Sequence, residues 1–218
     1  MADSLLQAFD TLDSSGDPAL VAYVYDYFQA LDEGDALAQS RALDALCRVV
    51  APEITRFCAY IAGPRVNPMD AAQETLLELC RRLGSLRDPM AVRPWLYSVA
   101  RNKVLAQRRW SWVRRWMPGA NLDAEIDPHE NPHRTLRLGR RARMVEEILE
   151  ILPEEQRTAL VLHLLQGLSD SEVAECMGRK KTNAKSLIRR AKEAFQKQAK
   201  KLGYARELAE GSPGEEDG

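Results

Sequence analysis

Apolar residues recur along most of this chain at intervals of three and four, the spacing of one helix face. Leu5, Leu6, Phe9 and Leu12 predict a short helix over residues 4–12. Asp17-Pro18 then reads as a cap followed by an N1 proline. Leu20, Val21, Val24, Tyr27, Phe28 and Leu31 continue that second helix to a turn at residues 32–35. Residues 36–62 predict one or two helices with a break near Pro52, and Gly63-Pro64 and Asn67-Pro68 mark a loop. Residues 70–83 form an amphipathic pattern with Met69, Ala72, Leu76, Leu79, Cys80 and Leu83 on its stripe. Asp70, Gln73, Glu74, Leu77 and Arg81 share another face, which is either solvated or docks a partner helix. Residues 84–94 predict a loop and residues 95–109 a helix, with Trp95, Leu96, Val99, Val104 and Leu105 packed. Period-two alternation is nowhere sustained, so the fold class is all-α.

Past a Gly-, Asn- and Pro-containing stretch at residues 118–137, which reads as a linker, the helical pattern resumes. Met144, Ile148 and Ile151 share one face, and Pro153 opens the next segment. Residues 158–166 predict a helix closed by Gly167. Ser169 and Glu172 have capping-box spacing for a short helix that ends near Gly178. A third helix then carries Ala184, Leu187, Ile188, Ala191, Phe195, Ala199 and Leu202 on one stripe. Two helices about a tight turn, with small Ala174 where they approach, predict a helix-turn-helix rather than an ordinary hairpin.

Charge sharpens this picture. Residues 179–201 hold ten Lys or Arg and one acid, Glu193. In a helix-turn-helix the N-terminal half of the second helix reaches base edges in the major groove. Here that half contains Lys180, Lys181, Thr182, Asn183, Lys185, Ser186, Arg189 and Arg190. Long cations suit phosphates and guanine, and Asn183 suits adenine; the plainer alternative is a solvated basic face. The net charge of −1 conceals segregation, because residues 1–40 hold eight acids and no Lys or Arg. The acidic N-terminal segment is expected either as an extra layer on the next domain or as a cover over a basic surface or partner contact.

All four tryptophans, Trp95, Trp110, Trp112 and Trp116, lie near a second basic run, residues 101–115, with six bases and no acid. Arg101, Asn102, Lys103, Arg108 and Arg109 stay polar there, and bases interleaved with aromatics can hold a phosphate backbone and stack unpaired bases. Trp95 by itself reads as core. Cys47, Cys58, Cys80 and Cys176 lack CxxC spacing and fall at apolar helix positions, so buried free thiols are expected rather than metal ligands or disulfides. A reducing cytoplasm suits them. No apolar run is long enough for a transmembrane helix, and the acidic N-terminus lacks signal-peptide order. No Ser-His-Asp set, phosphate loop or metal-ligand cluster points to an enzyme, a metal or another cofactor.

The two halves together resemble a bacterial sigma factor of the extracytoplasmic-function (ECF) group. The matching text is Asp70-Ala-Ala-Gln-Glu-Thr-Leu-Leu77, Leu86-Arg87 and Trp95-Leu-Tyr-Ser-Val-Ala-Arg-Asn102, which is similar to region 2. Leu152-Pro-Glu-Glu-Gln-Arg157, Gly167-Leu-Ser169, Glu172-Val-Ala174, Lys185-Ser186 and Arg190-Ala191 are similar to region 4. The resemblance covers about residues 36–203 and divides the chain. Residues 1–35 become an acidic helical extension, 36–116 a region 2-like domain and 117–137 a linker. Residues 138–203 become a region 4-like domain and 204–218 an acidic tail.

The resemblance implies that Asp70, Gln73, Glu74 and Leu77 dock the polymerase β′ coiled coil. Leu86 and Arg87 open a loop, to Pro94, that captures a flipped minus-ten base. Trp95, Arg101, Asn102, Lys103, Arg108 and Arg109 face the melted strand, and Lys180 to Arg190 enter the minus-thirty-five major groove. Val92 replaces a usual aromatic of the base-capturing loop, and residues 179–184 depart from the usual start of the recognition helix. Implied partners are core RNA polymerase through its β′ and β subunits, promoter DNA and an anti-sigma factor, without membrane insertion. A stand-alone helix-turn-helix regulator is the main alternative, and it leaves the Trp95–Asn102 text without a role. A sigma-like adaptor that binds only proteins leaves the basic third helix unexplained.

Overall fold

The structure, a computed structural model, describes residues 18–63, 66–86, 88–116 and 140–209, with the backbone alone at residues 18, 19, 21 and 111–116. The helix expected over residues 4–12, Arg87, the linker and the acidic end of the tail lie outside the described residues. The described residues are helical throughout, without a strand, and fall into two compact units, residues 18–116 and 140–209.

In the first unit, α1 (Pro18–Glu33) packs along α2 (Ala36–Ala62), with Leu20, Val24, Tyr27 and Ala30 buried. This part of the acidic segment is therefore a layer of the unit. Asp35 caps α2 by accepting from the amides of Leu37 (3.0 Å) and Ala38 (2.9 Å). Pro52 does not break α2, contrary to expectation. A proline removes one backbone donor. Here Val50, Ile54, Phe57 and Ile61 on the same helix are nearly inaccessible, and their packing holds the helix continuous. Asn67 caps α3 (Pro68–Arg82) through the Met69 amide, 3.0 Å away, with Pro68 at the first turn.

The expected loop at residues 84–94 is shorter than the sequence pattern implies. Two 3-10 turns, Leu83–Ser85 and Pro89–Ala91, lead into α4 (Val92–Trp116), which begins three residues before Trp95. Asp88 caps the second turn on the Met90 amide, and Val92 is 1% exposed. Val92, expected within the loop, is therefore the first residue of α4 and belongs to the core. Of the cysteines, Cys58 and Cys176 are buried as expected, but Cys47 is half-buried and Cys80 is exposed. Cys80 lies in the last turn of α3, beside Cys47 of α2.

The second unit holds α5 (Arg140–Ile151), α6 (Glu154–Leu160), α7 (Asp170–Cys176), α8 (Lys181–Lys201) and α9 (Ala205–Ala209). The helix expected over 158–166 starts earlier, at Glu154, and widens into a π turn at Val161–Leu165. Val145, Ile148, Leu160, Val161, Leu162, Val173, Ala191 and Phe195 are sealed from solvent in this core. Residues 204–209, expected within an acidic tail, pack on the same unit. Leu208 is buried, its carbonyl accepts from Arg141 Nη2 at 2.6 Å, and the Tyr204 hydroxyl donates to Glu147 at 2.7 Å.

Candidate nucleic-acid interface

The helix-turn-helix is built from caps. Gly167 and Gly178 have φ of +62° and +61°, the left-handed region in which a side chain is strained. The Leu168 amide donates back to the Leu162 carbonyl at 3.0 Å. The capping box forms: the Ser169 amide donates to Glu172 Oε2 at 2.8 Å, and the Glu172 amide donates to Ser169 Oγ at 3.3 Å. At the far end of α7 the Arg179 amide donates to the Ala174 carbonyl at 2.8 Å, which turns the chain sharply into α8.

Once this turn is fixed, the stripe on α8 decides what faces outward. Ala184, Leu187, Ile188, Ala191 and Phe195 are buried against the rest of the unit. Lys180, Lys181, Thr182, Asn183, Lys185, Ser186, Arg189 and Arg190 are all exposed. The structure thus brings every residue expected of the duplex-reading helix onto its solvent side. The Lys180 side chain makes no cap hydrogen bond at the start of α8. Arg189 pairs with Glu193 at 2.6 Å, but both side chains are more than half exposed. Such a pair contributes at most about 1 kcal/mol and can exchange its partner for a phosphate.

Three contacts that the sequence pattern did not reveal fix the approach of α8. Arg179, just ahead of it, forms an ion pair with Glu155 in the first turn of α6. Lys192 Nζ lies 3.1 Å from His163 Nε2, while His163 Nδ1 lies 3.0 Å from the Leu168 carbonyl. The His163 ring is thus held between the Lys192 ammonium and the Leu168 carbonyl. Arg157 is largely buried, and that burial lowers its pKa from the usual guanidinium value, partly offset by the Glu150 charge.

The first unit arranges its expected residues differently. On α3, Asp70, Gln73, Glu74 and Leu77 are exposed, and Leu77 keeps 54% of its surface in water. Glu74 nevertheless faces α4: its carboxylate is 3.4 Å from Lys103 Nζ and accepts from Gln107 Nε2 at 3.2 Å. A residue expected at the polymerase and one expected at DNA are thus paired with each other. Arg108 Nη2 donates to the Ile61 and Ala62 carbonyls, 3.0 Å to each, and so closes the C-terminal end of α2. Its guanidinium holds the fold together instead of presenting a free cation. Leu86, Trp95 and Arg101 are half-buried, and Arg101 has a partner within the protein. Asn102 and Arg109 are exposed, as is Trp110 at 64%.

Beneath that surface lies a polar cluster without a periodic signature. The Tyr97 hydroxyl donates to Glu53, which is 6% exposed, and Arg93 Nη2 stands 3.5 Å from the same carboxylate. The Arg93 guanidinium also lies 5.7 Å from the Tyr97 ring centroid. Burial, and then the Glu53 charge, push the Tyr97 pKa well above the usual phenol value. The cluster ties the middle of α2 to the first turns of α4 and so anchors the end of the 83–91 segment. An acid within an otherwise apolar helix stretch was its only trace in the sequence.

Two family models match the chain in this order: Sigma-70 region 2 over residues 46–114, and Sigma-70, region 4 over residues 142–195. The ECF RNA polymerase sigma factor SigD of Mycobacterium bovis is 30% identical over 152 residues, covering 66% of this chain and 71% of that protein. The chain belongs to the ECF RNA polymerase sigma factors.

The RNA polymerase sigma-H factor of Pseudomonas aeruginosa is similar too, 28% identical over 179 residues, 78% of this sigma factor and 92% of that one. Two solved structures share the fold at 19% identity and a TM-score of 0.54. One is the sigma factor RpoE in complex with the anti-sigma factor NepR from Bartonella quintana, covering 71% of this chain and 94% of that one. The other is CnrH in complex with the cytosolic domain of CnrY, covering 81% and 97%. As an ECF sigma factor, the protein is a transcription-initiation subunit with DNA-binding regions 2 and 4. Among the described residues, no helix is long and apolar enough to cross a membrane.

Proposed function

We propose that this sigma factor divides promoter recognition between its two units. The second unit reads duplex minus-thirty-five DNA with the exposed N-terminal half of α8, from Lys180 to Arg190. The first unit docks core polymerase through the α3 face of Asp70, Gln73 and Leu77, which engages β′. It holds the melted minus-ten strand with Asn102, Arg109 and the residues beside them. The protein carries out no bond chemistry and works in the cytoplasm, where the polymerase is.

The supporting observation is the complete separation on α8 of a buried apolar stripe from an exposed cationic face beside a capped turn. That face suits a phosphate-lined groove, and released counterions strengthen the contact. On the first unit the paired Lys103 and the helix-closing Arg108 shift the strand-holding role toward Asn102 and Arg109. An anti-sigma factor is the natural regulator, by analogy with the complexes formed by RpoE and CnrH. A stand-alone duplex binder would leave the exposed Leu77 without a partner. Run-off transcription with purified core polymerase on genomic fragments tests the proposal. Specific transcripts that depend on this chain are expected; a chain that joins the polymerase yet starts no transcript refutes it.

A further inference from the structure

Cys47 on α2 and Cys80 in the last turn of α3 bring their sulfurs to 3.7 Å, although 33 residues separate them in sequence. A disulfide needs about 2.05 Å, so the sulfurs must close by about 1.6 Å, within reach of side-chain rotation and a small shift of a helix end. The two thiols differ in access. Cys80 is exposed, while Cys47 is half-buried beside it. The remaining cysteines, Cys58 and Cys176, are buried.

We infer that Cys47 and Cys80 form a peroxide-oxidisable dithiol whose disulfide clamps α3 to α2 and weakens docking on α3. The exposed Cys80 meets the oxidant first. Its sulfur attacks one oxygen of hydrogen peroxide, the O–O bond breaks, and Cys80 becomes a sulfenic acid as water leaves. Cys47 Sγ then attacks the Cys80 sulfur, the S–O bond breaks, and the hydroxyl departs as a second water with the Cys47 proton. Two thiols and one peroxide thus give one disulfide and two waters. A dithiol reductant reverses the bond, as a reducing cytoplasm would.

Burial, and after it the neighbouring Cys80, push the Cys47 thiol up to about 12. Cys47 is therefore the slower, resolving partner. The clamp pulls on the end of α3 next to Leu77 and Arg81. Its effect on polymerase rests on the docking role proposed above for α3.

The test uses the full chain, reduced and then treated with hydrogen peroxide, alongside Cys47→Ser and Cys80→Ser. The original chain should lose two of its four thiols and yield one intrachain peptide linking residues 47 and 80, reversed by dithiothreitol. Cys47→Ser should stop at a dimedone-reactive sulfenic acid on Cys80, and Cys80→Ser should keep Cys47 reduced. The oxidised chain should bind core polymerase about ten-fold more weakly, a typical coupling between two sites, with recovery on reduction. Four intact thiols, a cross-link between chains, or one involving Cys58 or Cys176 overturns the dithiol. Equal affinity of the linked and reduced chains overturns the clamp. Failure of the reduced chain to bind polymerase overturns the docking role instead and leaves the mapped bond standing.

Discussion

Three basic side chains of α4 are drawn inward, whereas those at the N-terminal end of α8 are left in water. Lys103 is paired with Glu74, Arg108 closes the end of α2, and Arg93 lies over Tyr97. Lys180, Lys181, Lys185, Arg189 and Arg190 face solvent on a helix whose other side is sealed. The contrast matches the division of labour proposed above. A helix that reads intact duplex needs mobile cations, because the groove supplies the partners. A surface proposed to keep bases out of the stack has to be rigid, and ion pairs and carbonyl contacts tie α4 to α2 and α3.

This contrast can be broken by mutation, and the largest effect is expected on α8. Replacing Lys181, Lys185 and Arg189 together by Ala should lower affinity for duplex minus-thirty-five DNA by about a hundred-fold or more. It should also flatten the plot of log K against log salt by about three. Fluorescence anisotropy over a salt series measures both. Thermal stability should barely change, because all three side chains are exposed. A large fall in melting temperature would show that the basic face is structural after all.

The buried cluster comes next. Tyr97→Phe leaves the Glu53 carboxylate without its hydroxyl donor and should destabilise the first unit by about 1–3 kcal/mol, seen in urea unfolding. Arg108→Ala should cost about 1.5 kcal/mol by the same measurement, since two carbonyls of α2 lose a charged donor. If Arg108→Ala instead left stability unchanged and weakened only single-strand binding, the inward assignment would be wrong. The smallest effect is expected for Lys103→Ala. Its partly exposed pair with Glu74 contributes under about 1 kcal/mol, and a double-mutant cycle with Glu74→Gln would resolve it.

How much of this was legible in the sequence follows from the range of each signal. The turn of the helix-turn-helix was legible because Gly167, Ser169, Glu172 and Gly178 act on their immediate neighbours. The cationic face of α8 was legible because a single helix fixes both the stripe and its opposite side. Pro52 misled because local propensity points to a break, whereas the buried contacts of α2 override it. The roles of Arg108, of the Glu53–Tyr97–Arg93 cluster and of the Cys47–Cys80 pair were hidden because their partners lie more than thirty residues away. Helical periodicity says that a side chain is polar; it does not say that a carbonyl from another helix waits for it.

The central claim is that duplex reading and strand holding belong to different units. Permanganate reactivity of promoter thymines, with polymerase carrying either Lys181→Ala or Asn102→Ala at saturating concentration, tests it most directly. The account predicts that the Lys181→Ala holoenzyme, once bound, opens the promoter normally, while the Asn102→Ala holoenzyme binds but leaves the thymines unreactive. Loss of opening by both variants at saturation, or by neither, would contradict it.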